Sequence, residues 1–235
     1  MVMHSTKDNL QILYEDNHLI IINKRVGDIV QGDKTGDVPL SEIVKSYIKE
    51  KYHKPGNVFL GVVHRLDRPT SGVVIFAKTS KALSRLNGLL RDKKIHKIYL
   101  AIVKGQPVVK QQTLTHYLIK NPKNNKSTAF ETDNKGRKKA VLHYKVLETF
   151  DRYSLLEIAL ETGRHHQIRA QLSKIGHPIK GDLKYGFKRS NKDAGILLHA
   201  YRIQFEHPVT KVAIHITAPP PDFPLWNHYH TKNPS

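Results

Sequence analysis

His64-Arg65-Leu66-Asp67-Arg68-Pro69-Thr70-Ser71-Gly72 sets one carboxylate between two arginines inside a turn-forming stretch. Pro69, Ser71 and Gly72 favour a turn, and an aspartate can bond its own backbone there. The flanking Val62-Val63 and Val73-Val74-Ile75-Phe76 read as buried strand, so the stretch is a loop carried by strands. On composition alone a turn residue carried by strands is a sufficient reading of Asp67. The charges add a second reading: a carboxylate held near Arg65 and Arg68 stays ionised at neutral pH and below, which suits a nucleophile better than a proton donor.

Upstream of this loop, Leu10–Tyr14 and His18–Asn23 are short apolar runs separated by Glu15-Asp16-Asn17, which predicts a hairpin. Gly27, Gly32 and Gly36 mark a loop, and Leu40, Ile43, Val44, Tyr47 and Ile48 then recur at helical spacing, predicting an amphipathic helix over 40–51. Downstream, Val73–Ala77 predicts a strand. Thr79-Ser80 can cap a second helix that carries Leu83, Leu86, Leu89 and Leu90, and Lys97–Val103 returns to strand.

From Thr113 to Thr217 the pattern is mainly β, with strands expected at 113–120, 139–149, 153–161, 196–205 and 211–217. One helix is expected over 164–175, opened by Gly163 and ended by Gly176 and Pro178. Its first turn would set Arg164, His165 and His166 beside free backbone amides, a setting that favours phosphate. His165 and His166 would point in different directions on such a helix. Arg169, next to Ile168, would sit at the edge of the buried face, where it can meet a carboxylate. Segment 121–138 reads as an exposed basic loop, either a solvated excursion or an arm that touches RNA, and the tail 219–235 reads as extended. The fold class is α+β: a central mixed, mainly antiparallel sheet with packed helices, in one domain over 1–235 with a core at about 10–218.

Composition narrows the function. Lys and Arg number 39 against 20 Asp and Glu, a formal charge of +19, which points to a polyanion and by default to RNA or DNA. No apolar run approaches the length of a bilayer span, and the N-terminus lacks the apolar core of a signal peptide, so no membrane contact and a cytoplasmic location are expected. Without cysteine there is no disulfide, thiolate metal site or thiol nucleophile. Fifteen histidines invite a metal, yet no His-Glu-x-x-His spacing occurs, and no metal is expected. Neither a Gly-x-Ser-x-Gly turn nor a phosphate-binding glycine loop is present, which argues against a serine hydrolase and a nucleotide cofactor. Tyr99, in a strand after the basic run Arg91–Lys97, reads as a half-buried strand tyrosine, or as an aromatic that stacks on an unpaired base.

Taken together, five motifs in order resemble the RluA family of RNA pseudouridine synthases over about Leu10–Ala218. They are His64–Gly72, Lys97-Ile-Tyr-Leu-Ala101, Thr162-Gly-Arg-His-His-Gln-Ile-Arg169, Gly176-His-Pro-Ile-Lys-Gly-Asp182 and Leu197-Leu-His-Ala200. The resemblance implies the pseudouridine synthase fold and isomerisation of specific uridines in ribosomal (23S) or transfer RNA, without cofactor or metal, by a monomer. It implies Asp67 as nucleophile, Arg169 as the partner of that carboxylate and Tyr99 as the residue packed on the base. Arg65 would fill the gap left by the flipped nucleotide. His64, Arg68, Thr70, Arg164, His166 and Gln167 would contact substrate, with Ile168 and Leu198 as apolar pocket walls.

The chain departs from the family at Arg25, where Asn-Lys-Pro is usual, and at Gln171, where a histidine is common. Neither departure is expected to touch the chemistry. No room is expected before Leu10 for the small N-terminal RNA-binding module of many relatives, which leaves target choice to the catalytic domain. The competing reading is a non-catalytic RNA-binding or ribosome-assembly protein of the same fold; joint retention of Asp67, Tyr99 and Arg169 favours the enzyme.

Overall fold

The computed structural model describes residues 4–33 and 35–227. The chain gathers into two compact units, Met1–Ile95 with Ala200–Ser235, and His96–His199.

In the first unit, β1 (Ile12–Glu15) and β2 (Leu19–Lys24) form the expected antiparallel hairpin, and β2 pairs antiparallel with β4 (Ser71–Ala77). The two-residue β3 (Gly61–Val62) adds to β4 at Ala77 and Phe76. β10 (Leu198–Glu206) neighbours β4, and β11 (Ala213–Thr217) pairs with β10. Every residue of β2 and β4 is buried, because both faces are covered. Leu19, Ile21, Val73 and Ile75 pack on Ala82 and Leu86 of α2 (Ser80–Arg91), while Ile20, Ile22, Val74 and Phe76 meet Leu40, Val44 and Ile48 of α1 (Leu40–Lys51). Each of these side chains contributes about 1.5–3 kcal/mol on burial, so the β2–β4 pair is the firmest part of this unit. α1 has the bounds expected from its apolar spacing, and the Thr79 side chain accepts the Ala82 amide as the cap of α2.

The second unit is an antiparallel sheet in the order β5 (His96–Lys104), β9 (Tyr153–Leu160), β8 (Lys138–Thr149), β6 (Gln111–Asn121), β7 (Lys126–Phe130). α3 (Gln167–Lys174) covers one face, where Leu118, Ala129 and Ala140 meet Ala170 and Tyr185.

Three expectations need correcting. The basic segment 121–138 is not simply a loop, because β7 lies inside it, paired with β6. Its buried residues are the small Ser127 and Ala129, which leave no apolar alternation to read. α3 starts at Gln167 rather than 164, because His166 takes a left-handed backbone conformation at φ 53° that ends helical continuity. His165 and His166 therefore do not diverge; their rings stack with centroids 3.8 Å apart. In the tail, Pro224–Asn227 close a helical turn that buries Trp226, so the described part is not extended throughout, and 228–235 lie outside the described residues.

Candidate active site

The first unit presents Asp67, half-buried, in the loop between β3 and β4. The main chain does most of the positioning. The Thr70 amide bonds the Asp67 carbonyl at 3.0 Å, closing the turn expected from Pro69. The Gly27 amide reaches the Arg68 carbonyl at 3.0 Å. Lys24, fully buried at the end of β2, donates from its ammonium to the carbonyls of Arg25 and Asp28 at 2.8 Å and of Arg68 at 3.2 Å. Burial drives its pKa down to about 7, against the upward pull of Asp28 and Asp67. At the far end Gly72 has φ 114°, and an added Cβ would run into the Ala200 backbone, so no other residue fits there.

The remaining loop residues divide. Arg65 is exposed and forms no ion pair among the described residues. The Arg68 guanidinium is engaged by the 33–37 loop, with Asp37 at 2.6 Å and the Thr35 hydroxyl at 2.8 Å. The His64 Nε2 accepts the Ile75 amide at 3.3 Å, tying the loop to β4. The Thr70 hydroxyl is buried without a hydrogen-bond partner among the described residues.

The second unit presents Tyr99 and Arg169, both buried. Tyr99 lies on β5 opposite Ile158. Arg169 projects from α3 into a bidentate pair with Asp182: its Nε donates to Oδ2 at 2.7 Å and its Nη2 to Oδ1 at 2.9 Å. The Tyr185 ring lies under the guanidinium, 5.1 Å from its carbon. With one edge and one face occupied, the guanidinium is held in a single orientation. Around it, the Tyr185 hydroxyl accepts the Ser127 amide and bonds His166 Nδ1 at 2.9 Å, while His165 Nδ1 bonds the Ser127 hydroxyl at 2.9 Å. Gln167 is buried and locks the turn before α3: its Oε1 accepts from the Thr162 hydroxyl and the Arg164 amide, and its Nε2 donates to the Val141 carbonyl. Arg164 is exposed and donates to the Lys139 carbonyl. Ile168 and Leu198 are buried.

Two residues carry more of this arrangement than sequence reading gave them. Lys24 reads in the sequence as one cation among many, and only its burial against carbonyls shows its part. Asp182 belongs to a motif quoted for its order alone; its pairing with Arg169 spans thirteen residues and leaves no local signal. The two departures are scaffold features. Arg25 donates to the Asn9 carbonyl, and Gln171 is buried with its amide shared among Leu114, His116 and Ala140. Among the described residues no cluster of three or more His, Asp or Glu could hold a metal, and no helix is long and apolar enough to cross a membrane.

A sequence profile described as RNA pseudouridylate synthase matches residues 18–174. The chain is 38% identical over 223 residues to ribosomal large subunit pseudouridine synthase C of Buchnera aphidicola from Acyrthosiphon pisum, covering 92% of this chain and 69% of that one. It is 34% identical over 226 residues to ribosomal large subunit pseudouridine synthase D of Xylella fastidiosa, covering 91% and 66%. Human RNA pseudouridylate synthase domain containing 4 superposes with a TM-score of 0.77 at 22% identity over 94% of this chain and 93% of that one, which shows the α+β fold. With the motifs in order and most of its length matched, the chain belongs to the RNA pseudouridylate synthase family, of the RluA type.

Proposed function

We propose that this enzyme converts uridine to pseudouridine in large-subunit ribosomal RNA, with Asp67 as its nucleophile. The target is taken from the names of the relatives, pseudouridine synthases of the ribosomal large subunit. Such a target places the reaction in the cytoplasm. The observation that carries the assignment of Asp67 is the way its loop is built. Lys24, Gly27, Thr70 and Gly72 fix the backbone around a carboxylate that remains half-exposed.

In the reaction the bond from uracil N1 to the ribose breaks, the ring turns and C5 bonds the ribose; the C5 proton leaves, N1 takes up a proton in its place, and the Asp67 carboxylate is released unchanged. Nothing is gained or lost overall, so no oxidant, energy source or cofactor is called for. Asp67 attacks the target nucleotide as an ionised carboxylate. Arg169, already aligned by Asp182 and Tyr185, orients and stabilises that carboxylate. Tyr99 packs on the base. Removing the uridine from its stack costs roughly a few kcal/mol, and the exposed Arg65 enters the space left behind.

Pseudouridine mapping of transcribed large-subunit RNA treated with purified enzyme tests the reading. Asp67→Asn, nearly isosteric, should lower turnover roughly a thousandfold or more while RNA binding persists. Full turnover by that variant removes Asp67 from the mechanism, and modification of transfer RNA alone would overturn the ribosomal target.

A further inference from the structure

The second unit carries a surface that the chemistry above does not use. Along β6 the residues alternate: Leu114, His116 and Leu118 are buried, while Thr113, Thr115, Tyr117 and Ile119 face outward, away from α3. Register sets Phe130 of β7 directly opposite Tyr117 on one side and Lys139 of β8 opposite it on the other. Two part-exposed aromatic rings and a lysine thus form one row across three strands.

The Arg137 guanidinium lies 3.7 Å above the Phe130 ring. It is held there by Nη1 bonds to the Thr132 carbonyl at 2.9 Å and hydroxyl at 3.3 Å. The turn that returns the chain over Phe130 contains Gly136 at φ 86°. Ile119, 41% exposed, extends the apolar patch beside Tyr117.

We infer that this outward face of β7-β6-β8 is a docking platform for unpaired nucleotides of the RNA substrate other than the reacting uridine. Its chemistry matches that ligand: aromatic faces and a fixed, planar guanidinium stack on nucleobases without regard to sequence, and Lys139 and Arg137 supply charge for the phosphates. A chain with +19 formal charge favours RNA over a basic or neutral protein as the occupant. The inference rests on RNA being the substrate, and it adds a second place where that RNA is held.

The test uses the full chain and a fluorescein-labelled single-stranded oligouridylate, with an RNA duplex of equal length as comparison. Tyr117→Thr with Phe130→Thr keeps β-forming residues like their neighbours Thr115 and Thr128. It should weaken oligouridylate binding at least about fivefold, with duplex binding little changed. Arg137→Lys keeps the charge and loses the planar stack, so it should also weaken the single strand.

Unchanged oligouridylate affinity in both variants overturns the platform. Equal loss for single strand and duplex reduces it to a charged patch. A change in oligomeric state by light scattering, with RNA affinity intact, assigns the face to a second copy of the chain instead. Wild-type pseudouridine formation is measured alongside. Its absence with intact oligouridylate binding would remove the proposed target and not the platform.

Discussion

The two units hold the candidate residues they carry by different means. The Asp67 loop is fixed through its main chain: an ammonium on three carbonyls, two amide-to-carbonyl bonds, and a glycine against a neighbouring strand. Arg169 is fixed through side chains: a bidentate carboxylate, an aromatic face, and a histidine–tyrosine–serine network behind them. Main-chain anchoring tolerates changes at neighbouring side chains and fails at the few residues whose shape or charge it uses. Side-chain anchoring fails when either partner is lost. The difference predicts where each unit will break.

The largest effect is expected at Arg169. Replacing it with alanine leaves Asp182 buried and unpaired, which costs roughly 3–5 kcal/mol, and it removes the proposed partner of Asp67. Chemical denaturation should show the loss, and Asp182→Asn should show a smaller one. If Arg169→Ala were as stable as wild type, the pair would not be the anchor in this unit.

Next comes Gly72→Ala, whose methyl meets backbone with no flexible atom to yield. Overpacking and a left-handed alanine together should cost about 2–4 kcal/mol, whereas substitution of Arg65, exposed in the same loop, should leave the melting temperature nearly unchanged. Equal sensitivity at both positions would contradict main-chain anchoring.

The smallest effect is a pH dependence from Lys24. Its pKa falls from 10.5 when unfolded to about 7 when folded. Between these values the unfolded state binds the extra proton, so stability rises with pH across that window. Relative to Lys24→Met, the wild type should gain roughly 2 kcal/mol between pH 7 and 8.5. Parallel stability curves would mean that the folded pKa is not depressed.

Much of this molecule could be read from its sequence, and the places where reading stopped have physical reasons. α1 was legible to the residue because four buried positions fall on one helical stripe, and α2 because Thr79 caps it. The β2–β4 hydrophobic runs were equally plain. β7 was hidden because its inward positions are serine and alanine, and the start of α3 because a left-handed histidine has no compositional signature. In the candidate site, motif order pointed to Asp67, Tyr99 and Arg169. The supports did not show, since a buried lysine looks like a surface lysine and Asp182 becomes a partner only when the chain returns.

The division of the chain has a consequence for its synthesis. His96–His199 is one continuous stretch that supplies all five strands of its own antiparallel sheet. The unit that carries Asp67 is interrupted by that stretch and waits for Ala200 onward, because β10 supplies the neighbour of β4 and the backbone against which Gly72 rests. The Asp67 loop can lean on β2, Lys24 and Gly27 early in synthesis, but its last support, the Ala200 backbone against Gly72, comes only after the whole of the second unit has been made.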